Sequence, residues 1–209
     1  MLTEQILVIE NQYFGCVNWI YDLFQFSHVK IEQCEYYQKM SFRNRCVVFG
    51  ANGLVQLSVP LQDGRNQRKP LKEVLINNQE HWQKMHWRTL CSCYGKAPFF
   101  EYYQPWLQDF YQKRFEGLWE MNLCILEWLK KVLAIPPEIG FTESYEKTYP
   151  STVIDHRSLW LPKNFQDSEK IIRYQQVFED KSGFQKNLSV LDILMCEGPD
   201  AKRIFFSKV

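Results

Sequence analysis

The chain has 209 residues, 45% of them hydrophobic and 23% charged, which suffices for one packed core and is ordinary for a globular protein. Its formal charge of +1 supplies no field that would draw it to nucleic acid or an anionic membrane, so neither is expected as a partner. No stretch approaches the roughly 18 uninterrupted apolar residues of a membrane span.

In chain order, Gln5 to Glu10 (QILVIE) is a short apolar run of the kind found in strands covered on both faces. Val17 to Phe26 has helical spacing, and His28 to Gln33 returns to strand-like alternation. Together they predict a compact βαβ unit that leaves the loop Asn11 to Cys16 at the carboxyl end of the first strand, where open α/β sheets place ligands. Cys46 to Pro60 holds two β-rich runs joined around Asn52-Gly53, a dipeptide that accepts the positive φ of a tight hairpin. Asp63 to Pro70 (DGRNQRKP) reads as a basic mobile loop and Leu71 to Ile76 as one more strand.

The middle is helical: Glu80 to Tyr94, about Glu101 to Arg114, and Leu118 to Leu133, the last apolar on most sides and stopped by Pro136-Pro137. Ile135 to Pro150 reads as a loop or edge segment. Ser168 to Phe178 and Leu188 to Cys196 carry helical patterning, the second with Asn187 and Ser189 as cap candidates and Gly198-Pro199 as its stop. The fold class expected is α/β (or α+β) in a single domain over 1–209. Its parts are a mainly β-containing one over 1–78, a helical one over 79–135, and C-terminal loop and helices over 136–209.

The composition also bears on compartment and core. Fifteen phenylalanines, 11 tyrosines and seven tryptophans are many for this length, enough to build the core and line a pocket. Seven scattered cysteines, several inside apolar stretches, suit buried thiols in a reducing compartment. The opening Met1-Leu2-Thr3-Glu4-Gln5 lacks the basic segment and apolar run of a signal peptide, so a cytoplasmic location is expected. Cys91 and Cys93 have no second pair at zinc-site spacing, and no metal is assigned.

The segment Tyr36 to Arg45 stands out because it puts three cations, two phenols and two amides where a plain connection would carry Gly, Pro or Asp. Arg43, Asn44 and Arg45 have the donors to clamp a phosphate or carboxylate; they read equally as two surface ion pairs and a turn cap. His86 lies on the apolar row of its helix, as a general base or as a core imidazole bonded to a carbonyl. His81, five residues earlier, points about 140° away on the helix and cannot share a metal with it. Arg88, Tyr94 and Lys96 near the helix end fit a ligand or the helix dipole. Asp155-His156 with Ser158 contains triad residue types, but adjacent residues rarely aim at one another and no nucleophile elbow is present. Asn187-Leu-Ser189 with Asp192 fits anion binding and, better, ordinary capping.

Several ordered motifs resemble the bacterial WbqC-like protein family over nearly the whole chain. They include Gln12-Tyr13-Phe14, Tyr37-Gln38-Lys39, Phe42-Arg43-Asn44-Arg45-Cys46, Leu57-Ser58-Val59-Pro60 and Trp82-Gln83. His86-Trp87-Arg88, Tyr94, Ala97 to Tyr103, Asn122, Gln176 to Phe178, Gly183-Phe184 and Asn187 to Asp192 continue the series. The resemblance implies proteins found with genes for O-antigen and other surface polysaccharides, for which transfer of glycine onto a sugar amine has been suggested. Gly15 departs from it, since many members carry proline there, and Glu10-Asn11 is unusual; a more flexible first loop is expected.

The expected function is therefore a transferase moving a glycyl or other acyl group onto an amino sugar, the alternative being a non-catalytic protein that binds a glycan precursor or a partner. His86 would act as base and Asn44 would orient the acyl carbonyl. Arg43 and Arg45 would hold a phosphate or carboxylate, and Tyr13, Tyr37 and Trp82 would stack on sugar or base. Gln12, Lys39, Arg88, Tyr94 and Asn187 complete the expected substrate-binding set. The partner is a small-molecule (nucleotide-)sugar or acyl donor; cofactor and oligomeric state are left open. A nucleotidyl-transfer fold ranks last, because Gln12 to Cys16 lacks an HxGH-type phosphate motif.

Overall fold

A computed structural model describes residues 3–136 and 138–206. Met1, Leu2 and Pro137, which the leader and helix-stop readings invoke, lie outside the described residues. The strands are β1 (Thr3–Glu10), β2 (Phe26–Glu32), β3 (Arg45–Gly50), β4 (Gly53–Ser58), β5 (Glu138–Phe141) and β6 (Val153–Asp155). The helices are α1 (Val17–Gln25), α2 (Trp82–Tyr94), α3 (Phe100–Gln112), α4 (Leu118–Leu133), α5 (Glu179–Ser182), α6 (Val190–Glu197) and α7 (Ala201–Phe206).

The fold is α/β: a parallel sheet of order β5-β2-β1-β6, a separate antiparallel hairpin β3-β4, and helices around them. Alternation along β1 and β2 turns Leu7, Ile9, Val29 and Ile31 to one face, all buried in the main core, each contributing about 1.5–3 kcal/mol by leaving water. Helix α1 is buried along nearly its whole length and lies against β2, α6 and α7. The hairpin closes as expected, with Gly50 opposite Gly53 and the positive φ of +113° falling on Gly53 alone. β5 is the edge strand within the segment read as a loop or edge.

Two expectations fail for the same reason: tertiary partners overrode local pattern. Leu71 to Ile76 is no strand; Leu71–Glu73 is one 3-10 turn, followed by single bridges from Leu75 to Gly117 and from Ile76 to Leu61. That turn puts Leu71 and Val74, three apart, together in the core. Ser168 to Phe178 is not helical but an extended strap in which Ile172, Tyr174 and Gln176 are buried while Arg173 and Gln175 are exposed, a period of two. Side chains hold its backbone: Asn18 donates to the Lys170 carbonyl, and Glu197 accepts from the Gln175 N–H.

The chain leaves β1 toward β2 on one side and returns through β6 on the other. The crevice outside the carboxyl ends of β1 and β6 is thus the switch point at which open sheets bind ligands. The first loop fills it tightly. Tyr13 N–H donates to the Phe42 carbonyl, Val17 N–H to the Leu188 carbonyl, and the Trp19 indole to the Glu10 carbonyl at 2.9 Å. Gly15 does not loosen this loop: a Cβ there would stand 2.6 Å from Trp19 Cε3, so glycine is what lets the indole close over it.

Candidate functional site

Three acidic side chains gather at or just past the carboxyl ends of the first two strands. Glu10, wholly buried, accepts from Gln12 Nε2 at 2.7 Å and from the Ser158 N–H at 2.8 Å. Glu32 accepts from Arg157 Nη1 at 2.9 Å, from the Thr142 hydroxyl and from the Cys34 N–H. Glu35 accepts from Arg43 Nε and Nη2 at 2.6 and 2.5 Å. Burial pushes the Glu35 carboxyl up, and the Arg43 guanidinium beside it pulls back. Burial likewise opposes the Arg43 charge, but Glu35 and Glu10 outweigh it, so its pKa lies above the ordinary arginine value and it stays charged.

Arg43 is thus neither a surface ion pair nor a free clamp, because Glu35 takes two of its nitrogens. Its third nitrogen, Nη1, is buried without a partner. So are both amide atoms of Asn11, Nε of Arg45 and Oδ1 of Asn122, whose Nδ2 donates to the Arg43 carbonyl. Buried polar groups are satisfied in the great majority of cases, and those left over mark strain, water or ligand. Ser158, held at a φ of +59°, ties this interior to the surface: it accepts from Arg43 Nη2 at 3.3 Å and donates to Gln38 Oε1 at 2.6 Å.

Gln38 and its neighbours Tyr37 and Lys39 form one wall of a cleft of about 520 Å³. Arg65, Asn66, Gln67 and Arg68 form the other, and Lys39 Nζ donates to Asn66 Oδ1 across it. Every charged residue lining the cleft is a cation. Gln12 and Arg43 of the expected set therefore meet at the switch point through Glu10 and Ser158, Tyr37 and Lys39 line the cleft, and Arg45 bonds Met40 instead. Asn44 is committed to the hairpin base, accepting from the Tyr37 hydroxyl and donating to the Val59 carbonyl, and is not free to orient an acyl group.

The remaining expected residues lie in two interior networks or on the surface. His86 Nδ1 is 2.9 Å from the Tyr13 hydroxyl, and the ring lies against the Ser58 backbone. The Tyr13 hydroxyl also lies 2.7 Å from the Tyr111 hydroxyl, so the three side chains bond in a row. Burial lowers the His86 pKa to about 4. Buried and bonded to Tyr13, it sits as a core imidazole. Trp82 packs edge-on to it at 5.2 Å. Tyr94 donates to Asp192 Oδ1 and Tyr174 to Oδ2, both at 2.8 Å; burial raises Asp192 to about 6 although the phenols lower it. Asn187 accepts from the Asn18 N–H and donates to the Phe165 carbonyl, while Ser189 is the true cap of α6. Arg88 is exposed on α2. Asp155, His156 and Ser158 form no triad: Asp155 holds Arg157 and His156 bonds Asp22.

The sequence model of the WbqC-like protein family matches residues 12–159 and 155–204. The chain belongs to that family. It is also similar to the uncharacterized protein Rv1507c of Mycobacterium tuberculosis, 29% identical over 111 residues, 53% of this chain and 48% of that protein. The chain thus spans about half the length of the curated relative it matches. No solved structure gives a significant match. Against the motifs that mark this WbqC-like chain, the fold adds Asn11, Glu35, Ser158, Arg65 and Arg68. Asn11 and the basic run of residues 63–70 were visible as oddities at a strand end and in a loop; nothing in sequence joins Ser158 to Glu10. No helix of the described residues is long and apolar enough to cross a membrane.

Proposed function

We propose that the protein is a cytoplasmic transferase of surface-polysaccharide (O-antigen type) biosynthesis. It holds a phosphate-bearing amino sugar at the carboxyl edge of its sheet and moves a glycyl or other acyl group onto the sugar's amine. The observation that carries the reading is buried Arg43, whose Nη1 has no partner and whose Nη2 is joined through Ser158 and Gln38 to a cleft whose charges are all positive, with further unpartnered buried atoms on Asn11 and Arg45. Lys39, Arg65 and Arg68 receive the phosphates, and Arg43 Nη1 with the Asn11 amide receives the acyl carbonyl. The amine nitrogen bonds to the acyl carbon, the bond from that carbon to the donor's leaving group breaks, and the amine proton departs with the leaving group.

A second reading, a binding protein without turnover, is favoured by one observation: Glu10 and Glu35 already accept hydrogen bonds from protein donors. Intact protein is incubated with nucleotide amino sugars and with glycine plus ATP or activated acyl donors, and products are read by mass spectrometry alongside calorimetric binding. An adduct that disappears in Arg65→Ala with Arg68→Ala supports transfer. Binding without adduct supports the second reading, and absence of both sinks the site.

A further inference from the structure

A second groove lies between α2 and α3, lined by different residues from the cationic cleft and built on another principle. It measures about 350 Å³, room for one six-membered ring with its substituents. Half-buried Trp87 and buried Tyr111 supply an apolar wall. Tyr111 is fixed there because its hydroxyl turns inward to Tyr13, so the wall is formed before any ligand arrives.

Amides predominate among the polar groups around that wall. Gln108 and Gln112, four residues apart and exposed on α3, present amides that both donate and accept. Asn78 donates its amide to the Phe115 carbonyl, which leaves Oδ1 buried with no partner. Lining charges of both signs, Glu80 and Lys84, offset one another. An anion would face Glu80, and a purely apolar ring would leave Asn78 Oδ1 and the amides unpaired. A ligand with one apolar face and a rim of hydroxyls, each donating and accepting, matches wall and rim together.

We propose that this groove binds an uncharged sugar ring, its C–H face on Trp87 and Tyr111 and its hydroxyls on Asn78, Gln108 and Gln112. The inference is independent of the transferase reading, which concerns the opposite chemistry of the cationic cleft. Intact protein is titrated with methyl α-D-glucopyranoside, N-acetyl-D-glucosamine and L-rhamnose at millimolar concentrations, followed by saturation-transfer and indole N–H NMR. At least one sugar binds, insensitive to salt, and affinity falls about fivefold for each hydrogen bond removed in Gln108→Ala with Gln112→Ala. Both positions are exposed, so the double variant keeps its fold. Arg65→Ala with Arg68→Ala leaves this binding unchanged. No shift with any of the three sugars, unchanged affinity in the glutamine variant, or loss of binding in the arginine variant overturns the proposal.

Discussion

The hydrogen bonds around His86 run to completion, whereas those around Arg43 stop short. Tyr111, Tyr13 and His86 bond in a row that ends against the Ser58 backbone, and among the described neighbours of the ring the indole N–H of Trp82 is left over. At the sheet edge, Arg43 spends two nitrogens on Glu35 and keeps a third unpaired, with both amide atoms of Asn11 unpaired as well. The first arrangement fixes a core and the second keeps donors in reserve. Residue type does not separate the two cases, since both use side chains a catalytic site would use; what separates them is whether the bonding is finished.

The contrast is broken most severely at the ion pair. Arg43→Ala leaves Glu35 as an uncompensated buried carboxylate and should cost about 3–5 kcal/mol in chemical denaturation. A loss below about 1 kcal/mol would mean that water reaches the pair and that the edge is not a dry, prearranged site.

Next come the two finished networks, which respond to pH with opposite sign. His86 titrates near 4 in the fold against 6.5 unfolded, so its stability is present above 6.5 and is lost as pH falls through 4, about 3 kcal/mol in all. Asp192 titrates near 6 in the fold against 3.8 unfolded, so its stability is present below 3.8 and is lost as pH rises through 6, again about 3 kcal/mol. Between pH 4 and 6 the two oppose one another. Relative to the parent, His86→Gln should weaken less on acidification and Asp192→Asn should weaken less as pH rises, both followed by denaturant titration at stepped pH. Identical pH dependence in parent and variants would show that neither group is buried in solution.

A smaller effect is expected at Gly15→Ala, where the new Cβ overlaps the Trp19 ring and must displace it, costing about 1–3 kcal/mol in thermal melts. The displacement also moves the indole off the Glu10 carbonyl, so ligand binding at the edge should weaken with stability. The smallest effect on stability, within about 0.5 kcal/mol, belongs to Arg65→Ala with Arg68→Ala, both exposed. The same pair should have the clearest effect on binding of a phosphate-bearing ligand, about tenfold or more at low salt. Stability loss without binding loss would reverse the assignment of the two regions.

The βαβ opening, the hairpin and the three long helices could be read from pattern because each is decided by its own residues: QILVIE, Asn52-Gly53, and the apolar rows of α2 to α4. The strap of residues 168–178 could not, since its conformation is set by Asn18 and Glu197 far away in sequence. The polar segment Tyr36 to Arg45 was conspicuous by composition, yet its bonding was hidden. Glu35 lies just outside it and decides what Arg43 can do. Ser158 became part of the edge only because β6 pairs beside β1, a fact of topology that no local spacing encodes.

That pairing also sets when the site can exist during synthesis. Ile6 pairs with Val153, so β1 waits for most of the chain before its second neighbour arrives, and closing so long a loop is among the slower events in folding. A chain halted before β6 would hold β1, β2, the hairpin and the helices of the middle, but Glu10 would lack Ser158 and the cleft wall its anchor at Gln38. The link between Glu10 and the cleft wall is therefore acquired late and all at once, and an incomplete chain has no partial version of it to offer.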